Sequence, residues 1–441
     1  MSLHLLGILI LFSYGVIVIF SILLNRDIFS PAKIFLFYVF LFHFELTYIV
    51  YPLEHYLTFF VFTMIAVLAV LVERYIIDKN NISNTNKIDI VKNQESGCHI
   101  AGLTKMIWIF SLIPFATQIY FILDSGGIIQ YINDAVYRVT LWRGKGALLM
   151  IIRSVMVLQI IYFMVGLYWG IKKKSWWVLF FLHFLIIMFL ALLTGSRGVL
   201  LINIIIMLVI YHHIKRPIRL TRVLTVVLIL LLVASVLGLA RNNLKISENE
   251  FQTGLDKEIS SSDRFRALTS TFRYGLIPLD LIYSHEPKNI QYGLGLITPI
   301  TNVVPRGVWP DKPDTASIAM NKEYVEDRGP GPYQFAAGII GLGVMNFGWV
   351  AGIMFGFLLT ILLFIYVEYI YFKNIRYNRF TNFNCTLKAL IAVVLMISLP
   401  GVIIGEFSNM IVELFLTKLL LIGVFIIYGK HVAFKNNRAR K

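Results

Sequence analysis

Apolar stretches dominate the chain, and polar ones only punctuate them. Eleven runs rich in Leu, Ile, Val and Phe fall near 3–23, 33–51, 56–77, 103–122, 147–169, 176–194, 198–213, 222–240, 348–372, 386–404 and 410–428. Runs of roughly 18 or more such residues with few charges read as transmembrane helices. Hydrocarbon offers the backbone no hydrogen-bond partner, so a lone spanning segment must be helical. The pattern predicts an all-α, polytopic integral membrane protein with about 11 spans, organised as one transmembrane domain over 1–441. The first run lacks a basic start and a small-residue cleavage site, and reads as a mature helix rather than a signal peptide.

Three connections are long. Residues 78–102 are polar and Asn-rich, the composition of a solvated loop. Residues 123–146 alternate aromatic or aliphatic with polar positions, as a segment lying in the membrane interface would. The largest loop covers 241–335. Within it Phe265, Leu268, Phe272, Leu276 and Leu279 recur at helical spacing, predicting an amphipathic helix with Ser262 or Asp263 at its start. Pro305, Pro310 and Pro313 then exclude a regular helix or central strand and stiffen a loop that presents Arg306 and Trp309. The Gly-rich "QFAAGIIGLGVMNFG" after it reads as a short re-entrant helix.

Charge sets the expected orientation. The chain has 441 residues, is 58% hydrophobic and 15% charged, and carries a formal charge of +16. With eleven spans, 23 of the 40 Lys and Arg fall in short loops and the tail on one face. That asymmetry makes this face cytoplasmic, with the N-terminus outside and the C-terminus inside. Topology accounts for the basic excess, and no nucleic-acid partner is needed. The only two cysteines, Cys98 and Cys385, both lie on the cytoplasmic side, so no disulfide framework is expected.

The large loop balances 11 basic against 12 acidic residues, so an anion site there must come from placement rather than bulk charge. Arg153, Arg197, Arg241, Arg266, Arg273 and Arg306 all fall on the outer side, with Glu406, Glu413 and Lys418 toward the same edge. Ionisable groups at membrane depth are functional candidates by default. The planar fork of arginine suits phosphate, so a pocket lined by arginines fits an anionic lipid head group such as a diphosphate. Phosphate-loop, zinc-protease and serine-hydrolase motifs are absent, as is an Asp-x-Asp pair. No cofactor or metal is expected, the nine histidines showing no ligand spacing beyond the His212–His213 pair.

Three features then resemble a known family: "TGSRG" between two spans, "VPRGVWPDKP" in the large loop, and the Gly-rich apolar segment behind it. The chain is similar over nearly its whole length to the Wzy-type polymerases of bacterial O-antigen and capsule synthesis. The resemblance implies a membrane glycosyltransferase of GT-C-like architecture with one large extracytoplasmic loop. Such an enzyme joins undecaprenyl-diphosphate-linked oligosaccharide repeat units, as donor and acceptor, at the outer face of the cytoplasmic membrane. A flippase and a chain-length regulator are the implied protein partners.

On that reading, arginines stabilise the leaving diphosphate: Arg197, Arg241 and Arg306 first, then Arg273, Arg266 and Arg153. Glu406 is the expected general base, with Asp314 and His285 in reserve, while Trp309 and Tyr333 line the glycan path. A flippase or exporter of the same lipid, or a ligase of the same architecture, stands as the alternative.

Overall fold

The computed structural model describes residues 3–24, 27–49, 51–79, 97–134, 141–142, 145–193, 197–226, 228–229, 276–285, 287, 289–304, 308–324, 338–377, 380 and 382–439. Among them no strand occurs. In chain order the helices are α1 (Leu3–Leu24), α2 (Pro31–Phe42), α3 (Leu53–Lys79), α4 (Gly97–Asp124), α5 (Ile128–Asp134), α6 (Gly146–Trp169), α7 (Lys174–Leu193) and α8 (Arg197–Ile214). Then come α9 (Leu276–Ser284), α10 (Leu294–Thr301), α11 (Ala316–Tyr324), α12 (Gly338–Phe347), α13 (Trp349–Tyr371), α14 (Phe383–Ile404), α15 (Phe407–Val412) and α16 (Leu420–Ala439). Two π-helical turns interrupt the order, Phe372–Arg376 after α13 and Glu413–Leu419 between α15 and α16.

Seven helical segments among the described residues are long and apolar enough to cross a membrane. Shorter apolar helices lie at Leu9–Leu24, Pro31–Phe42 and Leu201–Ile214, where spans are also predicted. The second span was expected to run to residue 51, but α2 stops at Phe42. His43 explains the stop: its Nδ1 takes the Val39 carbonyl at 2.8 Å, and a 3-10 turn, Phe44–Thr47, follows. The predicted eighth span, 222–240, lies outside the described residues beyond its first turns.

Helix α14 is the axis of the bundle. Its spanning window is 78% buried, against 28% for those of α4 and α13, which present most of their surface outward. A helix apolar all round fits either place, since lipid and core are both apolar. Close approach is set by glycine. A Cβ on Gly343 would lie 2.1 Å from the Gly352 carbonyl oxygen, so α12 folds back on α13 backbone to backbone. Gly348, at φ +77, makes the turn between them. The expected short Gly-rich helix is thus α12, buried from Gly338 to Asn346 with Phe347 exposed at its end.

The connections sort onto two faces. One, the cap face, holds α9 to α12, which pack around Ile282, Met320, Leu342 and Val344 with Phe407 and Trp349 against them. The other, the base face, gathers Asp27, the end of α8 and the first π-turn. Helix α10 forms despite Pro299, which has no N–H for the Gly295 carbonyl. The Thr298 hydroxyl takes that carbonyl instead, at 2.6 Å. Thr298 also meets the Ser408 hydroxyl, tying α10 to α15.

Candidate functional site

Glu406 sits where α14 ends and α15 begins, under α11 of the cap. Its Oε2 accepts the Asn409 N–H at 2.6 Å, capping α15. The Ser317 N–H of α11 and the Ser408 N–H also point at the carboxyl, so two helix starts converge on one acid. The residue is half-buried, yet Oε1 is sealed from solvent and accepts no hydrogen bond from a described residue. Burial pushes the carboxyl up to about 7, against the downward pull of the three N–H groups. A carboxyl so placed is divided between its two protonation states near neutrality, the condition for exchanging a proton.

Two turns further on lies an ion cluster. Arg153 Nη1 of α6 reaches Glu413 Oε2 at 2.5 Å, and Lys418 Nζ reaches Glu413 Oε1 at 3.2 Å. Residues five apart diverge by about 140° around an α-helix and would not meet. The π-turn that starts at Glu413 brings Glu413 and Lys418 onto one side. One carboxylate therefore faces two cations, leaving an excess positive charge, and the Arg153 side chain is 35% exposed. Seven residues at helical rise put this cluster about 10 Å from Glu406 along the chain direction.

The other expected residues are distributed as follows. Arg197 opens α8, with its side chain outside the described residues, as are the whole of Arg241, Arg266, Arg273, Arg306 and Tyr333. Trp309 is exposed at the surface of the cap. Lys312 closes the Pro-rich turn beneath it, donating to the Val304 carbonyl at 2.8 Å and that of Thr301 at 3.3 Å. Of the reserve bases, Asp314 pairs with Lys322 at 2.5 Å and His285 is exposed.

A second cap-face cluster was not anticipated. His55 at the start of α3 is fully buried between the Tyr51 and Tyr283 rings, and its Nε2 lies 3.3 Å from Asp280 Oδ1 on α9. Tyr51 donates in turn to Glu45 Oε2 at 2.8 Å, and Tyr48 to Glu45 Oε1 at 3.2 Å. The hairpin before α3 and the cap are thereby pinned together. Only the "HFELTYIVYPLEHY" density of His, Tyr and Glu signals it in the sequence.

The base face holds the densest polar network. Asp27 accepts the Phe29 N–H at 3.0 Å, Arg376 Nη2 at 2.8 Å and the Tyr371 hydroxyl, with His212 Nε2 at 3.4 Å. His213 Nδ1 lies 3.9 Å away. Asp27, His212 and His213 have the spacing of a metal-ligand trio, but their chemistry does not fit one. His212 Nδ1 accepts the Ile218 N–H at 3.0 Å, so its proton is on Nε2, the nitrogen that would have to bind the ion. The Arg376 guanidinium already occupies Asp27. The trio is an ion-pair hub.

Comparison with known proteins gives one match. No curated protein and no solved structure matches the chain. A family model described as a domain of unknown function, DUF8712, matches residues 59–328. That stretch runs from α3 through α11, with Arg153, Arg197 and the Pro-rich loop inside it and Glu406 outside. Since it spans more than half of the sequence, the chain belongs to the DUF8712 family.

Proposed function

We propose that the protein is a lipid-linked oligosaccharide polymerase working on the cap face, which is the extracytoplasmic side of a bacterial inner membrane. The observation that carries this reading is Glu406, a carboxyl at the foot of the cap that burial holds up at about 7. The acceptor sugar hydroxyl gives its proton to Glu406 while its oxygen attacks the anomeric carbon of the donor glycan. The bond from that carbon to the undecaprenyl diphosphate breaks, and the released diphosphate takes the electron pair. Arginine side chains meet the charge that grows on it: Arg197, Arg241 and Arg306 at the reacting centre, with Arg273, Arg266 and Arg153 around it. Trp309 and Tyr333 flank the glycan path. The positive excess of the Arg153–Glu413–Lys418 cluster supports an anionic head group at this depth. The reaction as written needs no cofactor, and a flippase and a chain-length regulator are the proposed partners.

A flippase or exporter of the same lipid is the second reading, favoured by the buried ionisable hub on the base face, since such groups line transport paths. The glycan profile of a deletion strain separates the readings. Surface glycans one repeat long identify a polymerase, lipid-linked substrate accumulating on the inner leaflet identifies a flippase, and polymer held on its carrier identifies a ligase. Complementation with Arg197→Ala is expected to leave single repeat units unpolymerised. Long-chain polymer from that variant would sink the diphosphate assignment.

A further inference from the structure

We propose that α10 is the membrane anchor of the cap: its outer face seats among the acyl chains of the bilayer, beside the ends of α13 and α15. The helix is inside out for a cap in water. Gly295, Thr298 and Thr301 are buried against the protein, whereas Leu294, Ile297 and Ile300, at the same three-residue spacing, are exposed. Val303 extends the outward row, and Ile300 is 74% exposed. An apolar face of this kind marks a contact with a membrane or another protein. The next helix of the cap gives the contrast. There α11 exposes Lys322, paired with Asp314, as a helix in water does.

The inner face fixes this orientation. A Cβ on Gly295 would lie 2.5 Å from Asn346 Nδ2, so only glycine allows the approach. The Gly295 N–H donates to Asn346 Oδ1 at 3.0 Å, the Gln291 N–H to the Met345 carbonyl at 2.8 Å, and Thr298 meets the Ser408 hydroxyl. Held so, α10 cannot turn to hide its Leu and Ile row. The backbone is closed at both ends as well. The N–H groups of Leu294 and Leu296 donate to the carbonyls of Gln291 and Gly293, each at 3.0 Å. Lys312 Nζ donates to the carbonyls of Thr301 and Val304. Acyl chains offer such groups no partner, so a segment among them must bring its own.

Position selects the bilayer as the occupant. Asn346 lies just before Gly348, which turns α12 into the candidate span Trp349–Arg376, and Ser408 lies in the first turn of the candidate span Phe407–Gly429. The Ile290 side chain lies 3.5 Å from where a Cβ on Gly348 would stand. The inner face of α10 is thus fixed at the ends of two spans. From there Phe347, Val350 and Met354 carry the exposed apolar surface down α13. Tyr292 precedes α10 and Trp309 follows it, both exposed, and such rings gather at headgroup level. That is also the height at which a glycan joins its lipid on the proposed reading. Through Thr298 the anchor holds α15, which Glu406 caps, so the bilayer sets the height of that carboxyl.

Electron paramagnetic resonance of the full chain in lipid nanodiscs tests the anchor. With Cys98 and Cys385 changed to Ser, a nitroxide is attached in turn to Ile300→Cys and Ile297→Cys, outward positions that need no repacking of the core. Met354→Cys on α13 is the lipid reference and Lys322→Cys on α11 the water reference. Oxygen concentrates in hydrocarbon, and a water-soluble nickel chelate is excluded from it. At both α10 positions the ratio of oxygen to nickel collisions should match that at Met354 and exceed that at Lys322 severalfold. A ratio like that of Lys322 at either position would overturn the proposal. So would protection from both reagents, the mark of a second copy or another protein seated on the face. The measurement reads no activity, so its outcome stands apart from the reaction assigned to Glu406.

Discussion

The two faces of the bundle both gather acids, and they treat them oppositely. On the base face Asp27 is saturated: an arginine, a phenol, a backbone N–H and two imidazoles drawn from distant parts of the chain surround one carboxylate. On the cap face Glu406 keeps an oxygen without a donor among the described residues and is held by backbone N–H groups alone. A saturated charge network fixes an arrangement, because breaking any member strands another in a dry interior. A carboxyl with spare acceptor capacity and a raised pKa is still able to trade a proton. The contrast separates a fastener from a reactive group without reference to any relative.

The sharpest way to break this contrast is at Glu406. Glu406→Gln keeps the shape and the cap of α15, so the melting temperature should barely move, while turnover falls on the order of 10²- to 10⁴-fold if the acid is the general base. With wild-type protein the rate should climb as pH rises through about 7, since only the carboxylate accepts a proton, and the variant should lack that limb. Stability should run the other way. A folded-state pKa raised above its ordinary value gives stability that is full at acid pH and is lost as pH rises through about 7. A pH-rate profile and a pH series of melts on the two proteins check both signs.

Asp27→Ala tests the other side. It strands the Arg376 side chain, 9% exposed, without its carboxylate, and removing one partner of a buried pair costs roughly 3–5 kcal/mol. The variant should melt far below wild type, or fail to accumulate, whatever the assay for activity. A melt like wild type would mean that the hub is not a fastener. The cluster near the middle of the comparison should give a graded answer. Glu413→Gln leaves Arg153 and Lys418 facing each other and should cost about 1–3 kcal/mol, whereas Arg153→Met leaves the Glu413–Lys418 pair and should cost less. Thermal melts of the two variants side by side would show whether that order holds.

What the sequence discloses follows from how local each signal is. The long helices could be read directly, because length and hydropathy are properties of a single segment. The end of α2 could not, because it depends on one histidine ring turning back onto the Val39 carbonyl. Glu406 could be named from its place between two apolar runs, while its burial needed α11, which lies some 90 residues earlier in the chain. The Glu413–Lys418 pair was hidden by the helical wheel, which separates positions five apart until a π-turn intervenes. Asp27 carries no local signal, and among the histidines only the adjacent His212–His213 pair stands out in the sequence. Their partners come from residues 371 and 376, a relation that no local pattern carries.

The smallest effect probes how the cap is fastened above Glu406. In α10 the Thr298 hydroxyl makes two contacts, to the Gly295 carbonyl at 2.6 Å and to the Ser408 hydroxyl of α15. Thr298→Val keeps the branched shape and removes both. The Gly295 carbonyl then has no substitute donor in its own helix, since Pro299 brings none, and Ser408, fully buried, loses a partner. A buried polar group left in this way costs about 1–3 kcal/mol, with part of that recovered by the added methyl. The expected result is a modestly lower melting temperature. Because α15 begins at Glu406, loosening its tie to α10 should also let water reach the carboxyl, bringing its pKa down from about 7 toward the ordinary value. The rising limb of the pH-rate profile should therefore move to lower pH in Thr298→Val. A lower melting temperature with an unmoved limb would mean that α11, rather than the α10–α15 tie, keeps Glu406 dry.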